Sequence, residues 1–165
     1  MGRLMRCTTP KLRAATTAAA SAGLLAGVVA LAPAATAVSP TTVTAEYDCG
    51  TWGSTTLTLT ATQNGTNATI TLISTDVIVP IAVPANSVSA TLRLEKNGGP
   101  ATTLFTGQTN PAGPLTRLGP LIGAVAPGDS LDSSLGGDSL SFVVFGVSGR
   151  CVAVTKQSPG PFVFD

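Results

Sequence analysis

From Thr41 to Thr155 apolar and polar residues alternate in short runs separated by turn-forming residues, the period-two pattern of half-buried β-strands. Val43, Ala45, Tyr47 and Cys49 share one parity, so a strand over 41–49 carries Cys49 on the same inward face as its apolar residues. Thr56 to Thr62 alternates without a break, Leu57, Leu59 and Ala61 facing one side and threonines the other. Asn64-Gly65 follows, and Ala68, Ile70 and Leu72 then alternate with Thr69 and Thr71. Two alternating runs around an Asn-Gly pair predict a β-hairpin, because these residues accept the positive φ of a tight turn. Threonine, β-branched and hydroxylated, suits the wet face of such a sheet.

Val77 to Pro84 is apolar without alternation; Pro80 cannot donate to a ladder, so this segment reads as an edge strand or one crossing between sheets. Val88, Ala90, Leu92 and Leu94 alternate again, and Asn97-Gly98-Gly99 turns the chain into a strand over 102–106. Residues 107–120, with Gly107, Gly113, Gly119 and three prolines, read as a long connection. A short strand over 121–125 follows, then a Pro127-Gly128 turn and a Gly-, Asp- and Ser-rich surface loop over 128–139. The last hairpin joins 140–147 to 151–155 around Ser148-Gly149-Arg150. Seven to nine short strands without helical periodicity predict an all-β fold, a two-sheet antiparallel β-sandwich of Ig-like general architecture, with a small barrel as the second candidate. It departs from the immunoglobulin pattern proper, in which a Trp lies between the two cysteines at fixed spacing; here Trp52 lies three residues past Cys49.

The first 37 residues differ in kind. Arg3, Arg6, Lys11 and Arg13 form a basic beginning, Leu24 to Ala32 an apolar core, Pro33 a break, and Ala35-Thr36-Ala37 a peptidase site that cuts before Val38. The apolar core is shorter than the ~20 residues that span a bilayer, so 1–37 reads as a cleaved secretory signal, leaving 38–165 as one domain with no stable membrane span. The leader carries no lipoprotein cysteine after its apolar core and no twin-arginine pair, which points to the general secretory route, and the absence of a wall-sorting signal at the C-terminus argues against covalent wall anchoring.

Removing the leader changes the charge and the cysteine count. Five cations (Arg93, Lys96, Arg117, Arg150, Lys156) then face eight acids, a net −3, with no basic track for nucleic acid. Cys7 leaves, and Cys49 and Cys151 remain to pair outside the cytoplasm. A bridge across 102 positions constrains the unfolded chain by up to ~4–5 kcal/mol. Without CxxC spacing or any His, neither a redox pair nor the usual zinc set can be assembled.

Candidate chemistry is thin. Gly128-Asp129-Ser130-Leu131 and Gly137-Asp138-Ser139-Leu140 both resemble the GDSL signature of a family of secreted ester hydrolases, a likeness of four residues at a time. That family places the motif near the start of the mature enzyme and deprotonates its serine with a His; here it falls late in the chain and His is absent. Asp129, Asp132 and Asp138 offer oxygen ligands for calcium, at a spacing matching neither an EF-hand nor a nonapeptide repeat. Asp also favours turns through bonds to its own backbone. Trp52, Tyr47 and Phe105 are the aromatics available for a sugar-stacking platform, although Tyr47 faces inward by parity and Trp52 also suits a cover over the disulfide. Asn64 and Asn67 head glycosylation sequons, meaningful only in a host that uses them. Glu46 and Asp48 fall on the solvated face opposite Cys49, and with Glu95 imply no glycosidase pocket.

The Ala-rich leader, Thr-rich strands and one long-range cysteine pair resemble uncharacterised exported β-sandwich proteins of high-GC Gram-positive bacteria in general style. The expectation is a secreted or cell-wall-associated, non-catalytic interaction or structural module with an unknown extracellular or wall partner and no cofactor or metal. A carbohydrate-binding module and, third, a secreted hydrolase are the alternatives.

Overall fold

The alternation of the sequence becomes the inside and outside of one β structure in the computed structural model, which describes residues 38–74, 76, 82–109, 113–114 and 117–165. The expected leader cut at Ala35, Ala37 and Val38 involves residues 1–37, and the Pro80 strand involves Val77–Ile81; both segments lie outside the described residues. The strands are β1 (Val38–Ser39), β2 (Thr42–Asp48), β3 (Ser54–Asn64), β4 (Asn67–Ser74), β5 (Ala82–Val83), β6 (Val88–Lys96), β7 (Thr102–Gln108), β8 (Gly113–Pro114), β9 (Arg117–Ala124), β10 (Ser130–Ser133), β11 (Asp138–Val144), β12 (Val147–Ala153) and β13 (Phe162–Phe164).

In β2, β3 and β4 inward residues are buried and most of their neighbours wet, Val43, Ala45, Tyr47, Leu57, Leu59, Ala61, Ile70 and Leu72 lining the core. The Asn64–Asn67 hairpin forms as expected, with Gly65 at φ +60 in the first of its two turn positions. That conformation is one glycine adopts freely and suits the twist of the flanking strands.

The all-β class holds, but the two-sheet sandwich does not. Eight strands close into an antiparallel barrel in the order β2-β3-β4-β9-β7-β6-β11-β12, with β12 returning to β2. The reason lies at two seams. Long ladders knit β2-β3-β4-β9 into one sheet and β7-β6-β11-β12 into another. The sheets then join edge to edge through two register pairs at β2–β12 (Asp48 with Val152, Tyr47 with Ala153) and one at β7–β9 (Thr106 with Ile122). Closure removes the sheet edges that a sandwich would leave open.

Glycines allow the β7–β9 approach. A Cβ on Gly107 would stand 2.4 Å from the Pro120 carbonyl oxygen, and one on Gly123 would stand 2.6 Å from the Phe105 ring. Phe105 is fully buried over Gly123, and Phe142 covers Gly149 in the same way inside β11–β12, each ring filling the volume its glycine leaves.

Three further expectations are corrected. The segment read as a connection over 107–120 already enters β9 at Arg117. The last hairpin turns at Phe145-Gly146, not at Ser148-Gly149-Arg150, because Val144 pairs with Val147 and Gly149 is held mid-strand beneath the Phe142 ring. The expected surface loop 128–139 contains β10, which continues the edge of β6 beyond β11 and pairs with the C-terminal β13, where Phe162 and Phe164 are both buried.

Candidate functional site

An eight-stranded barrel has an interior that side chains can just fill, or that can admit one small guest. Here Leu59, Ile70, Leu92, Leu94, Phe105 and Leu121 fill most of it, all fully buried. Beside the disulfide a small cavity of about 60 Å³ remains. Its walls are Leu57 and Leu72 from one sheet and Leu140 and Phe142 from the other, with Leu118 alongside. The Cys49–Cys151 bridge, formed as the cysteine count predicts, closes one side. It links residues next in register after Asp48 and Val152, so the bond prolongs the short β2–β12 seam.

Trp52 lies over this cavity on the 3-10 turn Gly50–Trp52. The turn is closed by Cys49 N–H donating to the Gly53 carbonyl (2.9 Å) and by Gly53 N–H donating to that of Gly50 (2.9 Å). Gly50 and Gly53 flank it at φ +60 and +87, conformations that L side chains rarely adopt. The half-buried indole meets Phe142 edge-on, ring centroids 5.6 Å apart. Thr55 and Ser74 supply the polar atoms of the wall, and their hydroxyls are hydrogen-bonded to each other at 2.5 Å. Among the described residues no ionisable side chain lines the cavity, so its chemistry is apolar contact rather than proton transfer.

The other aromatics do not join Trp52. Tyr47 and Phe105 are fully buried, so the three form no shared stacking surface. Tyr47 faces inward as its parity indicates, and burial pushes its phenol up to about 12, raised further by Asp132 and partly offset by the Ser133 hydroxyl.

The three aspartates of the proposed calcium set also stay apart. The buried Asp129 accepts from the Ala126 amide (2.8 Å) and pairs with Lys96 (2.8 Å). Burial works to raise its pKa, but the Lys96 ammonium and the Ala126 amide outweigh it and hold the carboxyl below its usual value. Asp132 takes the amides of Ser133 and Gln157 on one oxygen, while Asp138 pairs with Arg150 at 3.0 Å. Among the described residues no group of three His, Cys, Asp or Glu is arranged to hold a metal.

Neither GDSL tetrapeptide presents a serine poised for attack. Ser130 enters β10, and the buried Ser139 donates to the Gly137 carbonyl (3.1 Å) while accepting from the Ala153 amide (2.6 Å), a bond that ties β11 to β12. Glu46 and Asp48 are exposed, and Glu95 pairs with Lys156 at 2.7 Å. The cavity itself had only one sequence signal, the inward parity of Leu57, Leu72 and Cys49; nothing local to Leu118 or Phe142 announces it.

No protein-family model, curated protein or solved structure matches this chain.

Proposed function

We propose that this protein is an exported, non-catalytic binding module, secreted or wall-associated, that receives a small apolar group in the cavity beneath Trp52. One observation carries the reading: the gap in an otherwise filled barrel is walled by Leu57, Leu72, Leu140, Phe142 and the disulfide, and among the described residues no acid or base lines it. Preformed apolar concavities are where small ligands bind, and apolar walls select an alkyl or aryl end by contact alone. The disulfide favours an oxidising compartment. Among the described residues no helix is long and apolar enough to cross a membrane.

The test uses protein recovered from the culture fluid or wall of a producing strain, its intact mass reading both the start at Val38 and the bridge. Trp52 is the only tryptophan, so its emission reports the cavity directly. Titration with 1-hexanol and with benzene is expected to change that emission saturably in the native protein, and not in a Leu72→Phe variant that fills the cavity. Absence of a saturable change, or equal response in both proteins, rejects the apolar guest; recovery only from the membrane with residues 1–37 attached rejects export.

A further inference from the structure

Four buried side-chain atoms have no hydrogen-bond partner among the described residues: Tyr47 Oη, Ser133 Oγ, and both Oε1 and Nε2 of Gln157. Tyr47 and Ser133 are fully buried and Gln157 is 6% exposed, so bulk water cannot serve them. Native interiors rarely leave polar groups unpaired, because desolvation without a partner costs about 1–3 kcal/mol for each. Four such atoms on three residues therefore require one common explanation if they are neighbours.

The backbone makes them neighbours. Asp132 Oδ1 accepts from the amides of Ser133 (2.7 Å) and Gln157 (2.8 Å), so both side chains start from one carboxylate. Thr44 and Ser158 exchange two backbone hydrogen bonds of 2.9 Å, which lays Gln157 along β2, the strand that carries Tyr47. Tyr47 pairs with Ala153, and Ala153 bridges to Leu135, two residues past Ser133. The Ser133 hydroxyl is close enough to the Tyr47 phenol to lower its pKa as a hydrogen-bonding neighbour does, yet the two do not meet in hydrogen-bond geometry.

We propose that the Tyr47 and Ser133 hydroxyls and the Gln157 carboxamide enclose an internal water site that fastens the segment after β12 to β2 and β10. The donor set selects water over an ion. An unpaired carboxamide presents a donor and an acceptor together, which a cation or an anion satisfies only by half, whereas water gives and takes hydrogen bonds. The Lys156 ammonium, 3.0 Å from the Ser133 carbonyl oxygen and 3.9 Å from Asp132, further opposes a metal cation.

Oxygen-isotope relaxation dispersion of the solvent detects long-lived buried water without interference from exchanging hydroxyl protons. It is run on the native protein and on Tyr47→Phe and Ser133→Ala, two variants that keep the packing close to native. The expected result is one long-lived water fewer in each variant, with amide exchange at Thr44 and Ser158 about tenfold faster in Tyr47→Phe. Unchanged dispersion in both variants overturns the site. So does Tyr47→Phe with exchange as slow as native, since removing a truly unpaired hydroxyl loosens nothing.

Discussion

The barrel is closed twice, and by opposite means. At the β2–β12 seam two register pairs are prolonged by a covalent bond between residues 102 positions apart. At the β7–β9 seam one register pair is enough because side chains are missing: Gly107 lies against the Pro120 carbonyl, and Gly123 lies beneath Phe105. One edge is joined by adding a bond, the other by removing Cβ atoms until two backbones can meet. The first mode depends on an oxidising environment. The second is indifferent to redox conditions and fails on a single methyl group.

The largest expected effect comes from breaking the covalent seam. Replacing both cysteines (Cys49→Ala with Cys151→Ala) releases the 102-residue constraint on the unfolded chain and is expected to cost about 4 kcal/mol, read from denaturant midpoints at constant slope. A loss below about 1 kcal/mol would mean that the backbone ladder and packing hold β2 and β12 together without the bond, and the contrast between the seams would disappear.

A slightly smaller loss is expected at the other seam. Gly107→Ala puts a methyl 2.4 Å from the Pro120 oxygen, a backbone atom that cannot rotate away as a side chain would. Overpacking of this kind costs about 3 kcal/mol. Gly137→Ala is the control, since a Cβ there meets nothing within 4 Å, and it is expected to stay within about 0.5 kcal/mol of native. Equal stability of the two variants would show that β7 and β9 can separate without consequence.

This contrast also explains what was readable in the sequence. Local period-two patterns place Leu57, Leu59, Ile70 and Leu72 correctly, because each strand's faces follow from its own residues. The disulfide was readable because cysteines outside the cytoplasm have few other uses. Closure was not readable, because it depends on which residue sits across a seam: nothing in the short strand over 121–125 marks Gly123 as a contact until Phe105 is placed against it. Burial of Asp129 was hidden for the same reason, its neutralising Lys96 being 33 positions away at the end of β6. The short apolar stretch Phe162–Phe164 carries too little pattern of its own to mark β13, which exists only because β10 offers it an edge. The candidate cavity inherits both outcomes: its Leu57 and Leu72 walls were legible, and its Phe142 wall, which depends on Gly149, was not.

The smallest expected effect sharpens the comparison by asking whether the β2–β12 seam excludes water. Tyr47 stands at that seam opposite Ala153, and burial raises its phenol from 10.0 to about 12. A folded pKa above the unfolded one means that the folded state holds the proton more tightly. The associated stability is therefore complete below pH 10.0 and is lost as pH rises towards about 12. At about 1.4 kcal/mol per unit, the loss across that window is roughly 2 to 3 kcal/mol. The quantity to read is the difference between native protein and Tyr47→Phe, which keeps every other ionisable group of the chain. Tyr47 is the only tyrosine in the chain, and phenolate absorbance follows it without ambiguity. Ionisation that appears only together with unfolding identifies a sealed seam. Reversible ionisation near the ordinary tyrosine value, with the fold intact, would mean that water enters between β2 and β12 despite the disulfide, leaving the glycine-lined seam as the tighter of the two.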